Sequence, residues 1–232
     1  MTPQVSVIVP LHDGERFLGA ALDSVAAQDY GAVELIVVDD GSTDAGPSLA
    51  LARGVTLLRQ DQRGAGAARN AGVDAARGEI LAFLDQDDLW LPSKLRRQVE
   101  ILAAHPESIC LAQQSYFLED GIAPPAWFGK PVLLDVDHTG WAPSCLAMRR
   151  TTFARVGRFD ERLRHISDVD WFSRAAAMRI AVEMPPELLV RRRIHAANDS
   201  GDPAAMQELF TILRGAAARG RSAGRPVTAE HS

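Results

Sequence analysis

The chain is short of cysteine, of aromatic residues, of basic charge and of long apolar runs, and each shortage closes off a class of function. Its two cysteines, Cys110 and Cys145, stand among apolar or small residues and match no metal-ligand spacing. A disulfide framework and a thiolate zinc site are therefore excluded, and two reduced core thiols are expected. The formal net charge is −5, the opposite of the basic footprint of a general nucleic-acid binder, so no nucleic-acid partner is expected. No apolar run approaches the roughly 20 residues that span a bilayer, and no basic stretch with an apolar signal segment opens the chain. These absences predict a cytoplasmic protein with no transmembrane segment, leaving room for peripheral membrane contact.

What is present is enough apolar material for a core. The 232 residues are 47% hydrophobic and 24% charged, which suits one sizeable domain. Residues 5–9 form an apolar, β-branched run interrupted only by Ser6 and closed by Pro10, and residues 35–38 give a similar apolar run before Asp39 and Asp40. Strands apolar on both faces belong in a parallel sheet covered by helices. Phe17, Leu18, Ala21, Leu22, Val25 and Ala26 recur between them at helical spacing. Strands at 55–58 and 80–84, with a helix at 66–76, continue the alternation, which predicts an α/β fold with right-handed crossovers. Further along, a helix at 92–104, a strand at 108–113, helices at 151–156 and 168–178, a strand at 187–190 and a helix at 203–219 are expected. Residues 220–232, rich in Gly, Arg, Ser and Pro, read as a disordered tail. The irregular stretch through Pro124, Pro125, Trp127, Pro131 and Trp141 suggests a long functional connection.

In open α/β sheets ligands lie beyond the carboxyl ends of the strands, and polar residues collect there at 10–13, 39–44 and 85–88. Asp85, Asp87 and Asp88 crowd three carboxylates at one strand end. Such a cluster suits a hard divalent cation, Mg²⁺ or Mn²⁺, which takes one or two carboxylates and leaves positions for substrate phosphates. A solvated acidic turn with Asp88 capping the following helix is the other reading, and three acids alone do not choose. Asp39 and Asp40 could accept hydrogen bonds from a base edge or a ribose, while Ser42, Thr43 and Asp44 could cap the next helix. Gly64 to Arg69 mimics a dinucleotide fingerprint only loosely, since Arg69 replaces the third glycine. It reads better as a tight turn that presents Arg69 and Asn70 to the strand edge. Asp168 opens a helix, either as a cap or as a general base. Asp168 and Asp170 cannot share a face.

In order and spacing, Val7-Ile8-Val9-Pro10, Val37 to Asp44, Ala68-Arg69-Asn70-Ala71-Gly72, Phe83 to Asp88, Gly157 to Glu161 and Ser167 to Asp170 resemble the family 2 glycosyltransferases. The resemblance runs from about residue 4 to residue 200. It implies a GT-A fold: a Rossmann-like, mostly parallel central sheet flanked by helices, with a less regular acceptor-side second half. One domain over 1–219 is implied, with residues 1–106 binding the nucleotide-sugar and 107–219 binding the acceptor and carrying the base. By the same resemblance Asp39 meets the nucleotide base with Asp40 and Arg69 nearby, and Pro10 walls the pocket. Asp87 is implied as the metal ligand, Asp85 as a ribose or metal contact, and Asp168 as the general base. Where the family has Glu before that Asp, this chain has Ser167. Arg193 and His195 would approach the diphosphate or the metal.

The implied reaction is inverting, hexosyltransferase-type transfer from a nucleoside diphosphate sugar, UDP foremost, with Mn²⁺ or Mg²⁺ as cofactor. The acceptor is left open among glycan, lipid-linked sugar, peptide and small molecule. Residues 116–141 are the expected acceptor loop or lid. Trp90, Trp127, Trp141 and Trp171 read as packing residues, with sugar-stacking faces as the alternative. The rivals are a sugar-nucleotide-binding protein without transferase activity and a nucleotidyltransferase on a related fold. The latter would need a Gly-rich basic loop after the first strand, where His12-Asp13-Gly14 stands instead.

Overall fold

The computed structural model describes residues 2–119, 121–129, 133–196, 198, 204, 205 and 208. The predicted helix at 203–219 and the tail at 220–232 otherwise lie outside the described residues. The first half alternates β1 (Val5–Leu11), α1 (Glu15–Ala26), β2 (Val33–Asp40), α2 (Gly46–Ala52), β3 (Thr56–Gln60), α3 (Ala65–Ala75) and β4 (Ile80–Phe83). The second adds β5 (Leu89–Trp90), α4 (Lys94–Ala104), β6 (Ile109–Cys110), β7 (Gln113–Phe117), β8 (His138–Thr139), β9 (Ala147–Arg149), α5 (Arg150–Val156), α6 (Ser167–Ala177), β10 (Val182–Glu183) and β11 (Leu188–Arg193). The strand predicted at 108–113 is in fact β6 and the start of β7, which belong to different sheets.

The main sheet runs β10-β6-β9-β4-β1-β2-β3. β1 pairs in parallel with β2 and β4, and β2 with β3, while β9 is antiparallel to β4 and β6. Alternation along β1 divides the core: Val5, Val7, Val9 and Leu11 pack with Leu18 and Leu22 of α1 and Leu95 of α4, whereas Ile8 packs in a second layer with Ala68, Phe153, Trp171 and Phe172. Pro10 sits where a strand tolerates it. Ile8 bonds toward β4, through Leu84 N–H to its carbonyl at 3.1 Å, so Pro10, two residues on, faces a side where that pairing has ended.

A smaller sheet, β5-β11-β7-β8, stands beside the first, with β11 antiparallel to β5 and parallel to β7. A 3-10 turn at Pro143–Cys145 joins the two. Its Ser144 hydroxyl donates to Asp88 Oδ2 at 2.6 Å and accepts from the Asp85 N–H at 3.0 Å. Asp88 Oδ1 also accepts from the Arg193 N–H of β11 at 3.1 Å. Asp88 is thus a buried tie between sheets, and the reading of it as a helix cap does not hold; α4 begins six residues later, behind Ser93. Cys110 and Cys145 are free and buried, as expected, and burial pushes both thiols up to about 12, which makes them inert at neutral pH. Among the described residues no helix is long and apolar enough to cross a membrane.

Candidate active site

The loops after β1, β2, β3 and β4 meet at one edge of the main sheet and are stitched together by their own side chains. Gln86, between the two acids of the Asp85-Gln86-Asp87 motif, accepts from His12 N–H at 2.8 Å and donates to His12 C=O at 3.0 Å. Asp44 takes the Glu15 N–H at 2.7 Å and the Gly46 N–H at 2.9 Å, so it serves the starts of α1 and α2 together. No side-chain cap bond from Ser42 or Thr43 is made to α2; these residues instead bond Asp13.

Asp39 is buried on the floor of a cavity of about 510 Å³ lined also by Gly41, Ser42, Arg59, Gln60 and Asp61. Burial works against its charge, but bonds from Ser42 (N–H at 2.8 Å) and Arg59 (Nε at 2.9 Å) outweigh it and hold the carboxyl below its ordinary range. Asp40 points elsewhere. Its oxygens accept from Gln60 Nε2, Arg63 N–H and Gly64 N–H, all within 2.7 Å, and so fasten the turn into α3 rather than lining the cavity. Gly64 takes φ 92° in that turn, a conformation that favours glycine.

Arg69 donates to Asp85 Oδ1 at 2.6 Å, while its buried Nε lacks a hydrogen-bond partner among the described residues. Asp87 Oδ2 faces His195 Nε2 at 2.9 Å and accepts from Asn198 Nδ2 at 2.9 Å. The three residues expected as metal ligands are therefore divided: Asp85 turns to Arg69, and Asp87 and His195 bond each other. Among the described residues no group of three His, Cys, Asp or Glu side chains forms a metal cage. The Asp87–His195 pair still suits a hard cation that takes few protein ligands and completes its shell with substrate oxygens.

Asp168 lies in the first turn of α6. Burial raises its carboxyl above the ordinary value, and the nearby Arg69 guanidinium offsets part of the rise. Asp170 is turned away and accepts from Arg174 Nε at 2.8 Å. Ser167 is buried where α6 meets α3: a Cβ on Gly66 would come within 2.8 Å of the Ser167 hydroxyl. Glu208 accepts from the backbone N–H groups of Arg164, His165 and Ile166 at 2.9–3.3 Å, steadying the approach to α6.

Alternation along β11 sends neighbouring arginines to opposite sides. Arg193, expected near the diphosphate, donates to Glu119 Oε1 and to the Asp87 carbonyl, both at 3.1 Å, and lies over the rings of Phe17 and Phe117. Arg192 faces the carboxylates, its Nε 3.4 Å from Asp88 Oδ2. Sequence reasoning missed Arg192, Arg59, Gln86, Asn198 and Ser144 as site residues. The basic run of three arginines, read with the strand period of two, was the one signal for Arg192.

Residues 6–162 match the family described as glycosyl transferase family 2. An uncharacterized glycosyltransferase of Rickettsia typhi is 31% identical over 227 residues, covering 91% of this chain and 70% of that protein. Among solved structures, S. aureus TarS 1–349 in complex with UDP-GlcNAc superposes with a TM-score of 0.67 at 21% identity over 86% of this chain and 61% of that one. The mannosyltransferase PcManGT from Pyrobaculum calidifontis, in complex with GDP-Man and Mn²⁺, gives 0.66 at 22% over 85% and 59%. The structural likenesses establish the GT-A fold, and with the family match over more than half its length this chain belongs to the family 2 glycosyltransferases.

Proposed function

We propose that this chain transfers a sugar, with inversion, from a nucleoside diphosphate sugar, UDP-linked in the first instance, to an acceptor hydroxyl. The observation that carries the reading is the shared edge itself: an open cavity floored by Asp39, then the Asp85 and Asp87 carboxylates, then Asp168. In this reading the nucleotide base lies against Asp39, and Arg69 and Arg192 offset charge near the diphosphate. Asp87 and His195 would hold a divalent cation, which when bound supplies further positive charge to the leaving diphosphate. Asp168 takes the acceptor proton, a task for which a carboxyl raised by burial is better matched than an ordinary one. Solved structures of the same fold carry UDP-GlcNAc in one case and GDP-Man with Mn²⁺ in the other, which supports the donor class and the metal.

Asp168→Asn is expected to lower kcat by about 10²–10⁴-fold with the fold intact by circular dichroism. In the parent, activity should fall with acid through a pKa above the ordinary carboxylate range, because the base works only when deprotonated; that limb should vanish in Asp168→Asn. A fully active variant refutes the assignment. EDTA should stop transfer and Mn²⁺ restore it, measured as release of the nucleoside diphosphate; turnover unaffected by chelation removes the metal from the mechanism.

A further inference from the structure

Glu208 brings its carboxylate to the turn that leads into α6, 42 to 44 residues away in the chain, and there accepts three consecutive backbone N–H groups. We propose that Glu208 is a positioning residue of the transferase: by tying residues 164–166 it sets where the first turn of α6 holds the base Asp168. The inference rests on the transfer reading above and extends its machinery to a residue outside the carboxylate edge.

The bonds divide between the two oxygens. Oε1 takes the Arg164 N–H at 2.9 Å, and Oε2 takes those of His165 at 3.0 Å and Ile166 at 3.3 Å. Successive N–H groups turned to one point form an anion-binding nest, and a charged acceptor strengthens each bond. Only a carboxylate presents acceptors on both branches; an amide in its place sets an NH₂ group against backbone donors. The negative charge also stands at the start of α6, where the helix dipole favours it.

The rest of α6 is fastened by other means. Trp171 Nε1 donates to the Gly157 carbonyl at 2.8 Å, and Arg174 donates to the carbonyls of Val156 and Arg158, both at 2.7 Å. Those contacts hold the body of the helix against the end of α5. The start is held differently. Ile166 is buried, its N–H goes to Glu208, and its carbonyl accepts from the Asp170 N–H at 3.2 Å, so the chain entering the helix is gripped on both sides of this residue. Asp168 follows two residues later. With Glu208 removed, Trp171 and Arg174 keep the helix in place, and the freedom gained falls on residues 164–168. A misplacement of about 1 Å at a reacting group costs up to about 10²-fold in rate. The residues of the Asp39 cavity are all elsewhere, so donor binding should not change.

Amide hydrogen exchange and turnover of the full chain test the proposal, comparing the parent with Glu208→Ala and Glu208→Gln and using sodium acetate to refill the nest. Turnover is read as UDP released from UDP-glucose, UDP-galactose and UDP-GlcNAc with Mn²⁺, water serving as the acceptor. In Glu208→Ala the amides of 164–166 should lose protection while those of 171–177 keep it. Its kcat should fall about 10–100-fold, with the KM for the donor within about twofold and thermal stabilisation by UDP as in the parent. Acetate should restore the protection and raise kcat at least about threefold in Glu208→Ala while leaving the parent unchanged. Glu208→Gln, close in shape but short of one acceptor, should lose kcat as well. A kcat within about twofold of the parent in both variants, no recovery with acetate, or protection lost along the whole of α6 would overturn the role. No UDP release by the parent from any of the three donors is instead the failure of the transfer reading, and the exchange pattern then decides by itself whether Glu208 places residues 164–168.

Discussion

Lys94 shows how much packing can change the setting of a single residue. It opens an amphipathic helix and looks solvated, yet it is fully buried, with Nζ donating to Gln98 Oε1 at 2.7 Å and lying 3.8 Å from the Trp90 ring centroid. Burial lowers its pKa to about 7. Above that pH the folded lysine is neutral while the unfolded one, at its ordinary value, still holds a proton, so stability should rise with pH between about 7 and 10. The slope from one such group is about 1 kcal/mol per pH unit. Urea unfolding at pH 6 to 9 should show that rise in the parent and lose it in Lys94→Met. Nothing local announces the burial, because the wall that buries Lys94 includes β5, which sequence periodicity does not detect. Asp88 stays open in the sequence for the same reason: a cap and a buried tie are both an aspartate before a helix, and only its partners Ser144 and Arg193 tell them apart.

At the scale of elements, legibility tracked length. β1, β2, β4, α1, α3, α4 and α6 were each readable from runs of four or more apolar residues or from helical spacing. β5, β6, β8, β9 and β10 are two or three residues long and carry no period to read. Their strand geometry comes from pairing with neighbours distant in sequence, as β9 does between β4 and β6. α3 shows packing overruling propensity. Ala is the better helix former, which alone would favour Gly72→Ala by ~1 kcal/mol. A Cβ there, however, would stand 2.4 Å from Ile8 Cγ2 on the interior strand β1. We expect Gly72→Ala to destabilise by about 1–3 kcal/mol in urea unfolding, as overpacked cores do; a gain in stability would show that α3 can shift away from β1.

For the whole molecule, the decisive feature is the seam between the two sheets. Ser144 bridges Asp85 and Asp88, and Asp88 reaches Arg193, so the carboxylate loop is held from the main sheet on one side and from β11 on the other. Ser144→Ala leaves a buried carboxyl and a backbone donor short of a partner and should cost about 1–3 kcal/mol, read by denaturant titration. A change within a few tenths of a kcal/mol would mean that the seam does not depend on this hydroxyl. By itself the sequence determined the alternating α/β core and the carboxylates that end its strands, since apolar runs and turn chemistry are local properties of the chain. Only the tertiary structure decided which carboxylate meets which cation. It drew Asp85 to Arg69, Asp87 to His195 and Asp88 into the seam, and it turned Arg192 toward Asp88 and Arg193 toward Glu119. Those choices depend on pairings across as many as about a hundred residues, and Coulomb attraction and burial select among them only once the sheets are in place.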